Sequence, residues 1–117
     1  PSRRYNKPSI MIVCEANYSN AHGTPWVYRE RGIGSIVGMP VPGTMTSVNW
    51  ETLQDASMYF GIPVVGYRTK DGKYLENTQL EPDLKVRNDY DQVIDGRDQQ
   101  LEVAVKELLR QIDARRR

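Results

Sequence analysis

An α/β fold is predicted by three features of the sequence. Two short apolar runs of strand length, Ser9–Ala16 and Gly34–Met39, bracket a helical stretch, and an amphipathic helix closes the chain. Ser9–Ala16 is nearly continuous in apolar side chains, as expected for a strand covered on both faces. Asn17-Tyr18-Ser19-Asn20 is turn chemistry, and the helical stretch after it runs to about Arg31, where Gly32 stops it. Pro25 fits that helix only near its first turn, where a missing N–H costs little. Strand, helix and strand within about thirty residues form a βαβ unit, which calls for a parallel sheet and a right-handed crossover.

Pro40-Val41-Pro42-Gly43 is a rigid loop. Thr44–Trp50 and Met58–Tyr67 are strand-like, Asp71-Gly72 marks a hairpin turn before Lys73–Leu75, and Leu84–Val86 is a further short strand. In the last element Leu101, Val103, Ala104, Val105, Leu108, Leu109 and Ile112 follow helical spacing. Asp95 or Asp98 can cap its start, where a carboxylate meets free N–H groups. That apolar stripe needs a surface to dock on.

Composition narrows the function. The 117 residues fit one domain, with 38% hydrophobic residues and a mean hydropathy of −0.64, lean for a chain standing alone. Sixteen Lys and Arg balance fifteen Asp and Glu. Their signs alternate along the chain, so no phosphate-tracking stripe forms and nucleic acid is not an expected partner. Arg115–Arg117 reads as a solvated basic end. The single cysteine, Cys14, excludes an internal disulfide and a multi-cysteine zinc site and reads as a buried, inert thiol. It does not place the protein in cytosol or periplasm. No run of eighteen apolar residues occurs, and Pro1-Ser2-Arg3-Arg4 has no signal-like core.

A strand that ends in a tight turn and delivers a serine to a helix start has a known chemical use. The helix N-terminus offers unpaired N–H groups and positive potential to an oxyanion forming beside the attacking hydroxyl. In that layout Ser19 is the attacker and the Asn20 N–H serves the oxyanion. The same residues also suit a plain helix cap.

The segment Ile10–Gly43 resembles the core of the C-terminal processing and tricorn peptidases. Val13-Cys14-Glu15-Ala16-Asn17-Tyr18-Ser19-Asn20-Ala21-His22 matches their strand and nucleophile turn. Ile36-Val37-Gly38-Met39-Pro40-Val41-Pro42-Gly43 matches the second strand and its loop. Processing peptidases carry a lysine base 25 residues beyond the serine; here that position is Thr44, which cannot act as a base. The tricorn branch is similar further on, through Glu76-Asn77 and Glu81-Pro82-Asp83, with Glu76 lying 57 residues after Ser19.

The resemblance implies the C-terminal part of a ClpP/crotonase-like catalytic domain, spanning residues 1–117, with a βαβ unit, a β-rich segment and a closing helix. It implies a serine peptidase acting through an acyl-enzyme on Ser19, with a Ser-His pair from an upstream part of the domain and Glu76 supporting that histidine. The isolated chain is then a poor enzyme. No metal or organic cofactor is implied. The implied partners are a peptide or unfolded-protein substrate, upstream domains of the same protein and further copies in a homo-oligomer. A non-catalytic peptide-binding or assembly domain is the alternative.

His22, the only histidine, stands three residues beyond Ser19 on the same helix, an unsuitable position for a general base. It reads as a surface or subsite residue. Glu15 reads as a structural hydrogen-bonding group, and Trp26 and Tyr28 as packing groups. Tyr18 adjoins the nucleophile. The family's Ser-Asp-Gly-Asp turn appears here as Ser19-Asn20-Ala21-His22, without its two acids, which leaves substrate preference open.

Overall fold

A computed structural model describes residues 5–116; Pro1–Arg4 and Arg117 lie outside the described residues. Strand β1 (Ile10–Val13), helix α1 (Asn20–Glu30) and strand β2 (Ser35–Gly38) form the expected βαβ unit. The two strands pair in parallel, from Ile10 opposite Ser35 to Val13 opposite Gly38. The two-residue strand β5 (Leu84–Lys85) adds to the other side of β2, also parallel, giving the order β1-β2-β5. Ile36 and Val37 are fully buried in this central strand, as a strand with neighbours on both sides requires.

The core gathers Val13, Tyr28, Ile36, Val41 and Leu80, with Met11 and Trp26 against it. β1 is shorter than its apolar run and not fully covered, since Ile12 is exposed. Gly38 admits the next turn: its φ is 132°, and a Cβ there would sit 1.9 Å from the Val13 carbonyl oxygen.

Pro25 lies inside α1, not in its first turn. A proline there leaves the carbonyl four residues back, that of Ala21, without its helical donor. The Asn17 side chain supplies one instead: its Nδ2 donates to the Ala21 oxygen at 2.8 Å, while its Oδ1 accepts from the Cys14 N–H at 3.1 Å. The turn residue thus repairs the helix it precedes. Cys14 is half-buried, not buried, because it follows the last residue of β1 where the chain turns away; its thiol donates to the same Asn17 Oδ1 at 3.3 Å.

The sequence motif Glu81-Pro82-Asp83 ties α1 to the sheet. Asp83 Oδ2 accepts from the Ile36 N–H at 2.7 Å, its Oδ1 lies 3.4 Å from the Arg29 guanidinium, and Arg29 also donates to the Glu81 carbonyl. Val41 and Leu80 exchange both backbone hydrogen bonds across the Pro-rich loop.

Among the described residues, strands β3 (Thr46–Thr52) and β4 (Tyr59–Gly66) pair only with each other, antiparallel, as a ribbon. The register shifts between Ser47 and Val48, which leaves Val64 unpaired beside Pro63, a residue with no N–H to give. Neither strand makes an extended contact with another element among the described residues. The long axis is accordingly 63 Å and the radius of gyration 18.0 Å, against about 13 Å for a compact chain of this length. The Asp71-Gly72 turn forms with Gly72 at φ 83°, although Lys73–Leu75 contributes only an isolated bridge from Tyr74 to Arg68.

A short helix that the periodicity does not announce, α2 (Tyr90–Ile94), precedes α3 (Gln99–Arg115). Asp98 is the cap of α3, accepting from the Leu101 N–H at 2.9 Å. α3 packs on β1 and β2, burying Gln100 and Ala104, with Gln111 donating to the Ser35 hydroxyl at 3.1 Å. Leu101, Val105 and Leu109 stay exposed, so only part of the expected stripe docks. Arg115 is solvent-exposed, as expected, but belongs to the last turn of α3.

Candidate active site

Ser19 sits where β1 has ended and α1 begins, with φ 55° and ψ −116°. A non-glycine residue there is strained by roughly 1–3 kcal/mol, a conformation that persists only where surroundings hold it. The holding contact comes from the Pro-rich loop: the Ser19 N–H donates to Thr44 Oγ1 at 3.3 Å. The Ser19 hydroxyl makes no capping bond to α1, so the plain-cap reading does not describe it.

The first turn of α1 has one amide to spare. Ala21 N–H donates to the Tyr18 carbonyl at 2.9 Å, and the N–H groups of His22 and Gly23 donate to the Ser19 carbonyl at 2.8 and 3.0 Å. The Asn20 N–H has no acceptor among the described residues. A free amide next to an uncapped hydroxyl, at the positive end of a helix, is the arrangement that stabilises a developing oxyanion.

Glu76 is brought to the same cleft by the segment after the Asp71-Gly72 turn. Its Oε2 accepts from the Met45 N–H at 2.8 Å and from the Thr46 hydroxyl at 2.7 Å, and Oε1 has no hydrogen-bond partner among the described residues. The carrier is held by the Asn77 N–H donating to the Gly43 carbonyl at 2.8 Å. Only glycine permits this approach, because a Cβ on residue 43 would lie 2.2 Å from the Thr78 nitrogen. The cleft has a volume of about 380 Å³ and is lined by Tyr18, Ser19, Thr44, Thr46, Val48, Pro63 and Glu76.

Thr44 and Thr46 are the residues that sequence reasoning missed. The sequence marks Thr44 as a non-basic residue in a lysine position at the start of a strand, whereas its hydroxyl holds the Ser19 turn. The strand pattern gave no sign that the Thr46 hydroxyl fixes the glutamate. Tyr18 is exposed at the cleft's rim. Tyr28 packs as expected, with its hydroxyl 2.7 Å from Ser9 Oγ, and Trp26 is partly buried against the core. Glu15 is exposed and pairs with Arg87 at 3.4 Å, a surface contact.

His22 departs from its expected surface position and is fully buried. Its ring meets Trp26 edge-on at 5.9 Å, and neither ring nitrogen has a hydrogen-bond partner. Burial holds its pKa below the ordinary 6.5, against smaller opposing effects of the Thr78 backbone, the Glu76 charge and the Thr44 backbone. It does not line the cleft that holds Ser19.

A larger, mainly apolar hollow of about 490 Å³ runs along α1, against Tyr67–Thr69 and Leu75; Ser19 and Glu76 do not line it. Among the described residues, no cluster of three or more His, Cys, Asp or Glu could hold a metal, and no helix is long and apolar enough to cross a membrane.

Comparison with solved structures finds the fold of this chain in three proteases. The tricorn protease superposes with a TM-score of 0.79 over 89% of the chain at 19% identity. Mature CPAF does so with 0.65 over 73% at 22% identity, and the photosystem II D1 C-terminal processing protease with 0.56 over 68% at 19%. The shared α/β fold is thus that of these peptidases. In sequence, a Chlamydia pneumoniae protein designated CPj1016/CpB1054 is 27% identical over 86 residues, or 72% of the chain. The chain spans only 14% of that protein's length, 16% of CPAF, 10% of the tricorn protease and 20% of the processing protease. The Ser19 turn, the Pro-rich loop and the Glu76 and Glu81-Pro82-Asp83 segments all fall within residues 1–86, which match the sequence profile of peptidase family S41; the chain belongs to that family.

Proposed function

We propose that this chain supplies the nucleophile and the supporting carboxylate of a serine peptidase whose histidine comes from elsewhere in a longer polypeptide. One observation carries the reading: Ser19, strained and uncapped at the start of α1, opens into the same cleft as Glu76. Ser19 Oγ attacks the scissile carbonyl and gives its proton to the histidine, while the carbonyl oxygen takes negative charge beside the Asn20 N–H. Collapse breaks the C–N bond, the histidine returns the proton to the leaving amine, and an ester on Ser19 remains. Water then attacks the ester by the same proton route and frees the acid. Glu76, fixed through Oε2 by Met45 and Thr46, supports the histidine by way of the Ser-His pair.

Residues 1–117 constitute one unit of that catalytic domain, and alone they should retain little activity, because a serine without its base keeps only a small part of the rate. The substrate is a peptide or an unfolded protein entering the cleft past Tyr18. A second reading, assembly without catalysis, is favoured by the exposed β3–β4 ribbon; the same surface also fits a homo-oligomer of an active peptidase.

A fluorophosphonate probe on the full-length protein tests the proposal. Covalent labelling at Ser19, abolished in Ser19→Ala and slowed at least tenfold in Glu76→Gln, is expected. A folded full-length protein that takes no label at Ser19 would overturn it in favour of assembly.

A further inference from the structure

One face of the β3–β4 ribbon runs into the cleft that holds Ser19 and Glu76. Thr46 and Val48 of β3 and Pro63 of β4 line that cleft. Side chains alternate along a strand, so Trp50 follows Thr46 and Val48 on the same face. Across from them, Val48 pairs with Pro63, Trp50 with Gly61 and Thr52 with Tyr59. Two contacts fix the facing independently of this alternation. A Cβ on Gly61 would lie 2.9 Å from Val48 Cγ2 and 3.3 Å from Trp50 Cζ3. The Trp50 and Tyr59 rings meet edge-on, with centroids 5.4 Å apart. Val48 and Trp50 therefore close over the glycine, and the cleft floor continues as an apolar track that ends at an exposed aromatic pair.

The bulge beside Pro63 creates this track. Were the register of Thr46 with Gly66 and Ser47 with Val65 carried on, Val48 would face Val64 and Trp50 would face Ile62. The shift between Ser47 and Val48 puts Pro63, Gly61 and Tyr59 on the cleft face instead. It turns Phe60 and Ile62 to the opposite face, where they pair with Glu51 and Asn49. Thr46, Val48, Trp50, Tyr59, Gly61 and Pro63 carry no charge, so the track suits an uncharged occupant. Its continuity with the cleft makes that occupant the substrate.

We propose that this face of the ribbon is a subsite for an aromatic or large apolar side chain of an extended peptide, with Trp50 and Tyr59 as specificity-determining residues. This rests on the peptidase reading and adds a substrate class to it. Strands rise about 3.4 Å per residue, so Trp50 stands about 14 Å beyond Thr46. A peptide extended along the ribbon advances at the same rate. The side chain that meets the aromatic pair is then about four residues from the scissile bond. Exposed aromatic side chains at the end of an apolar surface are effective anchors, because each contributes a large contact area. Folded proteins keep most such side chains inside, whereas an unfolded segment presents them along an accessible backbone. The track thus selects unfolded chain with an aromatic residue at a set distance. At high protein concentration the same side chains can bring copies together, and substrate then competes with that contact.

Peptides of one length, with a single phenylalanine moved position by position through a polar sequence around one cleaved bond, test this on the full-length protein. Enzyme concentrations are kept below the onset of self-association in sedimentation. In the wild type, kcat/KM should peak about tenfold above the polar parent when phenylalanine stands about four residues from the cleaved bond. Trp50→Thr should flatten that peak to within twofold, and Phe60→Thr, on the opposite face, should keep it. A flat wild-type profile, a peak that survives Trp50→Thr, or one lost equally in Phe60→Thr would refute the subsite. A peak seen only where copies associate would give the face to a second copy and refute it too. If Ser19 takes no label, the peptidase reading fails and peptide binding by fluorescence anisotropy decides alone. Tighter binding of the phenylalanine peptides than of their polar parent, lost in Trp50→Thr and kept in Phe60→Thr, supports the track; equal binding removes it.

Discussion

The parallel sheet and the β3–β4 ribbon are written in similar apolar letters, but they spend them differently. In β2, Ile36, Val37 and Gly38 are buried, with α1 and α3 packed nearby. In the ribbon no residue is buried, and Trp50 and Tyr59 are each 67% exposed while meeting edge-on at 5.4 Å. Phe60, Ile62, Val64 and Val65 are also exposed. An isolated two-stranded ribbon is marginal in water, and contiguous exposed apolar surface marks a contact face. The difference teaches that the sheet's order is internal, whereas the ribbon leaves its apolar side chains in solvent.

Substitutions can break this contrast. Ile36→Ala should cost about 2–5 kcal/mol, because a fully buried branched side chain leaves a cavity between packed elements; urea unfolding measures it. Next comes Asn17→Ala, which strands the Ala21 carbonyl and the Cys14 N–H together and should cost about 1–2 kcal/mol by the same measurement.

Those two positions also show what the sequence could reveal. Ile36 was legible, because a short apolar run after a helix can hardly be anything but an inner strand. The repair of Pro25 by Asn17 was not, since it depends on a side chain reaching forward into a helix whose register the sequence leaves open. α3 was legible from its spacing, but α2 has five residues and none buried, hence no periodicity to read. Ser19, Asn20 and Glu76 were singled out by resemblance. Thr44, Thr46 and the burial of His22 depend on contacts across twenty or more residues, which no local pattern encodes.

The third expectation concerns pH. Burial lowers the His22 pKa below 6.5, so the unfolded chain binds this proton more readily than the folded one. Its contribution to stability is complete above about pH 6.5 and declines as pH falls through the lower folded-state value. The urea midpoint of the wild type should therefore drop on acidification from pH 7 more steeply than that of His22→Phe. The smallest effect belongs to the ribbon. Trp50→Thr should change unfolding stability by about 0.5 kcal/mol or less, yet it should weaken self-association of the full-length protein in sedimentation. A Trp50→Thr protein as destabilised as Ile36→Ala would erase the distinction between the two regions.

The backbone at Ser19 sets a condition on how the hydroxyl can be removed. At φ 55°, alanine would keep the constraint and glycine would relax it. Ser19→Gly should consequently outlast Ser19→Ala on heating, and the gap between them measures the conformational energy reserved in that one residue. A copy of this domain relieved of chemistry would gain firmness by accepting glycine there, so keeping a side chain at position 19 carries a standing mechanical cost.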